Sequence, residues 1–144
     1  MKIGSKKVYI DSCVLIAFLV PTLKHHKDAK AVMSGIKTSV ISFLTLNESF
    51  YVLHYELKIK KAVIKKHMNM LLNSDVQVVS MEQNNNTALK YLTAFCKSNM
   101  RPSDCLHALI IKANRIKYIA TFDKDLSMEL AKKGVRNTAR PVDV

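Results

Sequence analysis

The sequence predicts an α/β fold, a three-layer sandwich whose mostly parallel central sheet of four to five strands carries helices on both faces. Short apolar or β-branched runs alternate with longer segments of three- and four-residue periodicity along the whole chain, as successive strand–helix units would. The composition, 49% hydrophobic and 24% charged over 144 residues, is ordinary for a globular chain. It suits one domain, 1–144, burying roughly two-thirds of its unfolded surface. Only 11 Asp and Glu stand against 23 Lys and Arg. Several of these scarce acids fall where a strand gives way to a helix, the edge at which open α/β sheets place their ligands.

The first strand is expected at Lys7 to Ile10, ending at Asp11. Ser12 to Val20 then reads as a short helix stopped by Pro21, which has no backbone N–H to donate. A second helix starts near His26, and Gly35 stands where a left-handed terminus would want glycine. Thr38 to Ser42 is a β-branched second strand. From Leu44 the spacing turns helical, with Leu44, Glu48, Tyr51, Val52 and Tyr55 on one side. A lysine-rich turn leads into a helix over 59–73, with Ala62, Ile64, Met68 and Leu71 or Leu72 as core contacts. Val76 to Ser80 is a third strand, and Asn84 to Asn86 opens a helix carrying Leu89, Leu92 and Phe95.

Arg101 to Asp125 is the most informative stretch. Pro102 and Ser103 suit a helix start, and Asp104 lies in the first turn, where the helix dipole favours negative charge. Tyr118 to Thr121 is a compact strand that runs into Asp123 and Asp125. A last helix ends at Gly134, and a final strand is expected near Ala139 to Asp143. The chain contains no linker and no internal repeat.

A net charge of +12 points to a polyanion as partner, nucleic acid before an acidic protein. Basic residues gather in Lys24–Lys30, Lys58–Lys66 and Lys112–Lys117, with Lys132, Lys133, Arg136 and Arg140 near the end. Cys13, Cys96 and Cys105 are odd in number and form no C-x-x-C pair, so neither a disulfide framework nor a zinc site is indicated. That fits a reducing, cytoplasmic setting. Lysines before the apolar run from Val8 to Val20 resemble a signal peptide, but Asp11 inside it would cost about 3 kcal/mol in a bilayer. The run is therefore core rather than a targeting or membrane segment.

If the strands are parallel, Asp11, Glu48, Asp104 and Asp123 meet at one edge of the sheet. Packed carboxylates repel one another, and a divalent ion such as Mg²⁺ or Mn²⁺, which prefers oxygen ligands, relieves the repulsion. Each acid has a plainer use. Asp11 and Asp123 would serve as helix caps, and Asp104 would complement a dipole. Glu48, inside an apolar stripe, needs a partner, either a metal or a basic residue. His107, three residues after Asp104, lacks a second His or Cys at ligand spacing and is expected to pack or hydrogen-bond. Ser12 and Thr121 are candidates to orient carboxylates or water.

Four segments together resemble the PIN-domain family and, by size, its VapC-like toxin ribonucleases: VYIDSCVLI, LTLNESFYVL, SDCLHALIIKA and IATFDKDL. The resemblance covers nearly the full length. It implies an endoribonuclease in which Asp11, Glu48, Asp104 and Asp123 hold one or two Mg²⁺ or Mn²⁺ ions. Thr121 matches the family's small hydroxyl residue, Asp125 its less regular extra acid, and Cys105 stands where alanine is common. It also implies a homodimer and an antitoxin whose tail enters the cleft. A PIN-like RNA-binding module with little chemistry is the alternative, and the presence of all four acids argues against it. A phosphatase of the haloacid-dehalogenase type would need a second Asp two residues after Asp11, where this chain has Cys13.

Overall fold

The computed structural model describes residues 6–140. Its strands are β1 (Lys7–Ile10), β2 (Thr38–Ser42), β3 (Gln77–Val79), β4 (Tyr118–Ala120) and β5 (Arg136–Asn137). They form one sheet in the order β3-β2-β1-β4-β5, and every pairing is parallel. The helices are α1 (Ser12–Leu19), α2 (His26–Ser34), α3 (Phe43–Tyr51), α4 (Lys61–Leu72), α5 (Asn85–Lys97), α6 (Pro102–Ala113) and α7 (Lys124–Ala131). This is the α/β sandwich expected from the sequence.

Strand periodicity divides the core between two faces. Val8, Ile10, Tyr118 and Ala120 point to the face covered by α1, α2 and α4. Tyr9, Val40 and Ile119 point to the other, packed by α6 and α7 through Cys105, Ile111, Leu126 and Leu130. The central strand β1 is buried on both faces, which is why VYI reads as unbroken apolar sequence. Edge strand β3 is mostly exposed.

Several local expectations change. Gly35 caps α2 with φ −84°, so it is not left-handed; Gly134, at φ +80°, is. The last strand is Arg136–Asn137 rather than Ala139 onward, because Arg136 N–H donates to Lys117 O and Thr138 N–H to Ile119 O. Residues 141–143 of that expectation lie outside the described residues. Tyr51 and Tyr55 are 58% and 57% exposed, because α3 and the π-helical turn after it, Val52–Glu56, bury the side that carries Thr45, Leu46, Ser49 and Leu53 instead. Ala62 and Leu72 are exposed, whereas Met68 is buried as expected. Leu89, Leu92 and Phe95 are also exposed, and α5 buries no residue fully.

The strand order sets the site. Chain leaving β1 crosses toward β2, while chain leaving β4 crosses the other way toward β5. The carboxyl ends of these two neighbouring strands therefore open a crevice, where α/β folds bind ligands. Asp11 N–H donates to Ala120 O at 3.0 Å, which fixes the lip of that crevice.

Candidate functional site

Asp11 closes β1 and caps α1. Its Oδ1 accepts from Ser12 N–H at 2.8 Å, and its Oδ2 accepts from the Thr121 hydroxyl at 2.7 Å. Thr121 also accepts from Asp123 N–H at 3.0 Å, so one hydroxyl ties the ends of β1 and β4 together. Asp123 caps α7, its Oδ1 accepting from Asp125 and Leu126 N–H at 2.9 and 3.1 Å. Its other oxygen, Oδ2, stays free of the cap and pairs with Arg101. Capping and clustering, rivals in the sequence, coexist here on the same side chains.

Glu48 sits on α3 and reaches His107 of α6, whose Nε2 lies 2.7 Å from Oε1. An ionised carboxylate only accepts, so Nε2 carries the proton. The same nitrogen is 3.6 Å from Asp11 Oδ1. On the far side of the ring, Nδ1 lies 2.6 Å from the Tyr9 hydroxyl, which in turn meets Ser42 Oγ at 2.7 Å. His107 is fully buried, and burial alone would push its pKa down; the Glu48 hydrogen bond and the charges of Asp11, Glu48 and Asp104 outweigh that and raise it. For Glu48, burial pushes the pKa up, yet hydrogen bonds and charge from His107, with the Ser12 and Ser103 hydroxyls, bring it below the ordinary value. The Tyr9 hydroxyl is raised to about 12 by burial, so it remains a neutral relay between His107 and Ser42.

Asp104, in the first turn of α6, is 9% exposed. Burial and the neighbouring charges of Asp11 and Asp123 raise its pKa, against the opposing pull of Arg101 and His107. Arg101, three residues earlier, places Nε 3.6 Å from Asp104 Oδ2 and Nη2 3.2 Å from Asp123 Oδ2. The four sequence-predicted acids are thus linked in two pairs: Asp11 and Glu48 through His107, Asp104 and Asp123 through Arg101. Four carboxyl groups stand against one permanent cation, Arg101, and one imidazole, so the acids outnumber their basic partners. Oxygen donors with that excess suit a hard divalent cation. Ligand atoms of Asp11, Glu48 and His107 lie within 4.8 Å of one another, but the His107 nitrogen is committed to Glu48 and acts there as a donor.

Asp125 is exposed on α7 and makes no ion pair among the described residues. The Cys13 thiol is raised to about 12 by burial and by Asp11, so it supplies no acid or nucleophile at the position where a phosphatase would need its second Asp. His107 takes the hydrogen-bonding role expected of it, and it is the basic partner Glu48 required. Sequence reasoning gave no site role to Arg101, Tyr9 or Ser103, which it read at most as a helix-start residue. Arg101 at i, i+3 from Asp104 was a readable signal, whereas Tyr9 and Ser103 depended on knowing which strands and helices become neighbours. A groove of about 990 Å³ lies elsewhere, under α5, rimmed by Lys90, Lys112, Arg115, Lys117 and Lys133. Lys117 leads into β4 and Lys133 precedes β5, so this basic groove flanks the amino ends of the strands, away from the acids.

A family profile for the PIN domain matches residues 8–129. The chain belongs to the PIN-domain family. Its fold is similar to that of VapC20 of Mycobacterium tuberculosis, a Sarcin-Ricin loop cleaving toxin, with a TM-score of 0.68 at 16% identity, covering 85% of this chain and 94% of that one. A domain of a functionally unknown protein from Methanocaldococcus jannaschii is also similar, with a TM-score of 0.54 at 14% identity, covering 96% and 92%. No curated protein sequence is significantly similar to the chain.

Proposed function

We propose that this protein is a metal-dependent endoribonuclease, cytoplasmic, and the toxin of a toxin–antitoxin pair. The observation that carries the reading is the meeting of Asp11, Glu48, Asp104 and Asp123 around the crevice between β1 and β4, where four carboxyl groups outnumber their two basic partners. These four residues would hold one or two Mg²⁺ or Mn²⁺ ions, with Asp125 at most an outer contact. Such an ion polarises a scissile phosphate and lowers the pKa of an attacking water. The rest of the work falls to the chain. Thr121 holds the Asp11 carboxylate in place, while Ser12, Ser103 and His107 hold Glu48. The Tyr9–Ser42 link holds the imidazole in turn. A net charge of +12 favours RNA as the polyanion, and the similarity to a toxin that cleaves the Sarcin-Ricin loop makes structured RNA the first substrate to try.

Tyr51 of α3 with Tyr55 of the π-turn, and separately Leu89, Leu92 and Phe95 on α5, are the exposed apolar residues we assign to a homodimer contact. No helix among the described residues is long and apolar enough to cross a membrane. An antitoxin partner would be detected as the product of an adjacent reading frame that co-purifies with the chain and suppresses cleavage.

The decisive experiment is cleavage of structured RNAs with Mg²⁺ or Mn²⁺, comparing the native chain with Asp104→Asn. The variant is expected to lose about a hundredfold or more, as when one charge-stabilising group is removed from an active site. Equal cleavage by both, or none by the native chain under either metal, would overturn the reading. RNA binding without cleavage would instead indicate a binding module.

A further inference from the structure

Arg101 is the sole Lys or Arg that ion-pairs with the acid cluster among the described residues. It stands at the N-cap of α6, immediately before Pro102, with its backbone C=O already committed to Cys105 N–H at 3.1 Å. The main chain is therefore held, and the side chain alone is free to swing. That side chain is 76% exposed, while the carboxylates it bridges are 13% and 25% exposed. The guanidinium lies over the outer half of the cluster. Asp104 and Asp123 belong to different elements, and Arg101 is what joins them.

We propose that Arg101 is a built-in counter-ion that a divalent cation must displace from Asp104 and Asp123, and that the released guanidinium then contacts substrate phosphate at the mouth of the cleft. This rests on the metal reading above and adds a competitor to it. The same carboxylate oxygen, Oδ2, faces Arg101 on both acids, so a cation using those oxygens competes with the guanidinium directly. A guanidinium does not lose its proton in this range, so release means movement of the side chain. The arginine side of both pairs is open to water, which screens them, so the guanidinium can be displaced at ordinary metal concentrations. Once outward, its planar fork is suited to phosphate oxygens. The device also offsets part of the repulsion between two carboxylates in metal-free protein.

The test is a pair of measurements on the full chain as native protein, Arg101→Gln and Arg101→Lys. Calorimetric titration with Mn²⁺ should show Arg101→Gln binding about three- to tenfold more tightly than native, the scale of losing one or two screened ion pairs. Anisotropy with a labelled, uncleavable 2′-O-methyl RNA hairpin at saturating Mn²⁺ should show the same variant binding more weakly. Arg101→Lys, which keeps the charge but not the fork, should stay near native for Mn²⁺ and fall between the other two for RNA. A residue that only orders the turn before α6 would give unchanged or weaker Mn²⁺ affinity on removal, and that result overturns the proposal while leaving the metal reading intact. Unchanged RNA affinity overturns the phosphate contact. Mn²⁺ uptake by neither native chain nor variant overturns the metal reading, and this proposal with it.

Discussion

The two halves of the acid cluster meet the same electrostatic problem with opposite means. Asp11 and Glu48 share an imidazole that is 1% exposed and held from behind by Tyr9 and Ser42. Asp104 and Asp123 share one guanidinium that is 76% exposed and has no other side-chain partner among the described residues. In low dielectric a charge pair is strong when complete and costly when broken, whereas at the surface the same pair is screened either way. The inner half should therefore carry stability and the outer half should carry exchange. The comparison sharpens into measurements of graded size.

Breaking the inner half has the largest expected effect. His107→Ala leaves Glu48 and Asp11 facing each other and removes the Tyr9 partner; it should cost roughly 3 kcal/mol in urea unfolding, in the range for stripping one member of a buried pair. His107→Gln, which restores a donor without charge, should recover part of that. The difference between native and His107→Ala should also depend on pH. His107 titrates above its unfolded value of 6.5, so its contribution is complete below that pH and fades as pH rises through the folded value. Glu48 titrates below its unfolded value of 4.5, so its contribution is complete above that pH and fades as pH falls through the folded value. The gap in metal-free protein should therefore be widest between about pH 4.5 and 6.5. A gap that is flat across that range and up to pH 9 would mean that His107 packs as a neutral ring and that the inner half is not an ion pair.

Asp104 reverses the sign. Its pKa is raised above the unfolded value of 3.8, so its ionisation opposes folding as pH climbs past that value. Asp104→Asn should stabilise metal-free protein at neutral pH by about 0.5 kcal/mol, the order of relieving one like-charge neighbour, even as it costs the proposed cleavage about a hundredfold or more. Denaturant midpoints at pH 7, with and without EDTA, check it. A clear loss of stability would mean that Arg101 stabilises the Asp104 carboxylate more than Asp11 and Asp123 oppose it.

The contrast between the halves also explains what the sequence made legible. Strand and helix order could be read because β1 and β4 are nearly uninterrupted apolar runs and α6 opens with Pro102 and Asp104. The edge on which Asp11, Glu48, Asp104 and Asp123 fall followed from parallel strands alone. The His107–Tyr9 contact spans 98 residues and the His107–Glu48 contact 59, and nothing in local spacing announces either. The exposure of Leu89, Leu92 and Phe95 was also illegible, since an apolar helical stripe looks the same whether its cover is the chain's own core or another molecule. The final strand was misplaced because β5 is a two-residue edge segment, Arg136–Asn137, with no apolar run to mark it.

The smallest effect belongs to the outer cation, and its smallness is the point. Arg101→Ala removes both ion pairs on Asp104 and Asp123, yet it should shift unfolding by no more than about 0.5 kcal/mol, the ordinary range for a solvent-exposed substitution. The sign is set by two opposed terms: the acids lose their neutralising partner, and the exposed side chain no longer pays to be held. Parallel urea titrations of Arg101→Ala and His107→Ala at pH 6 and at two salt concentrations separate the halves directly. Raising salt should erase what little the arginine contributes and leave most of the histidine term, because screening reaches exposed charges and not buried ones. If Arg101→Ala proved as destabilising as His107→Ala, the guanidinium would be a structural brace, and a cation that must displace it would have to unfold part of the site first.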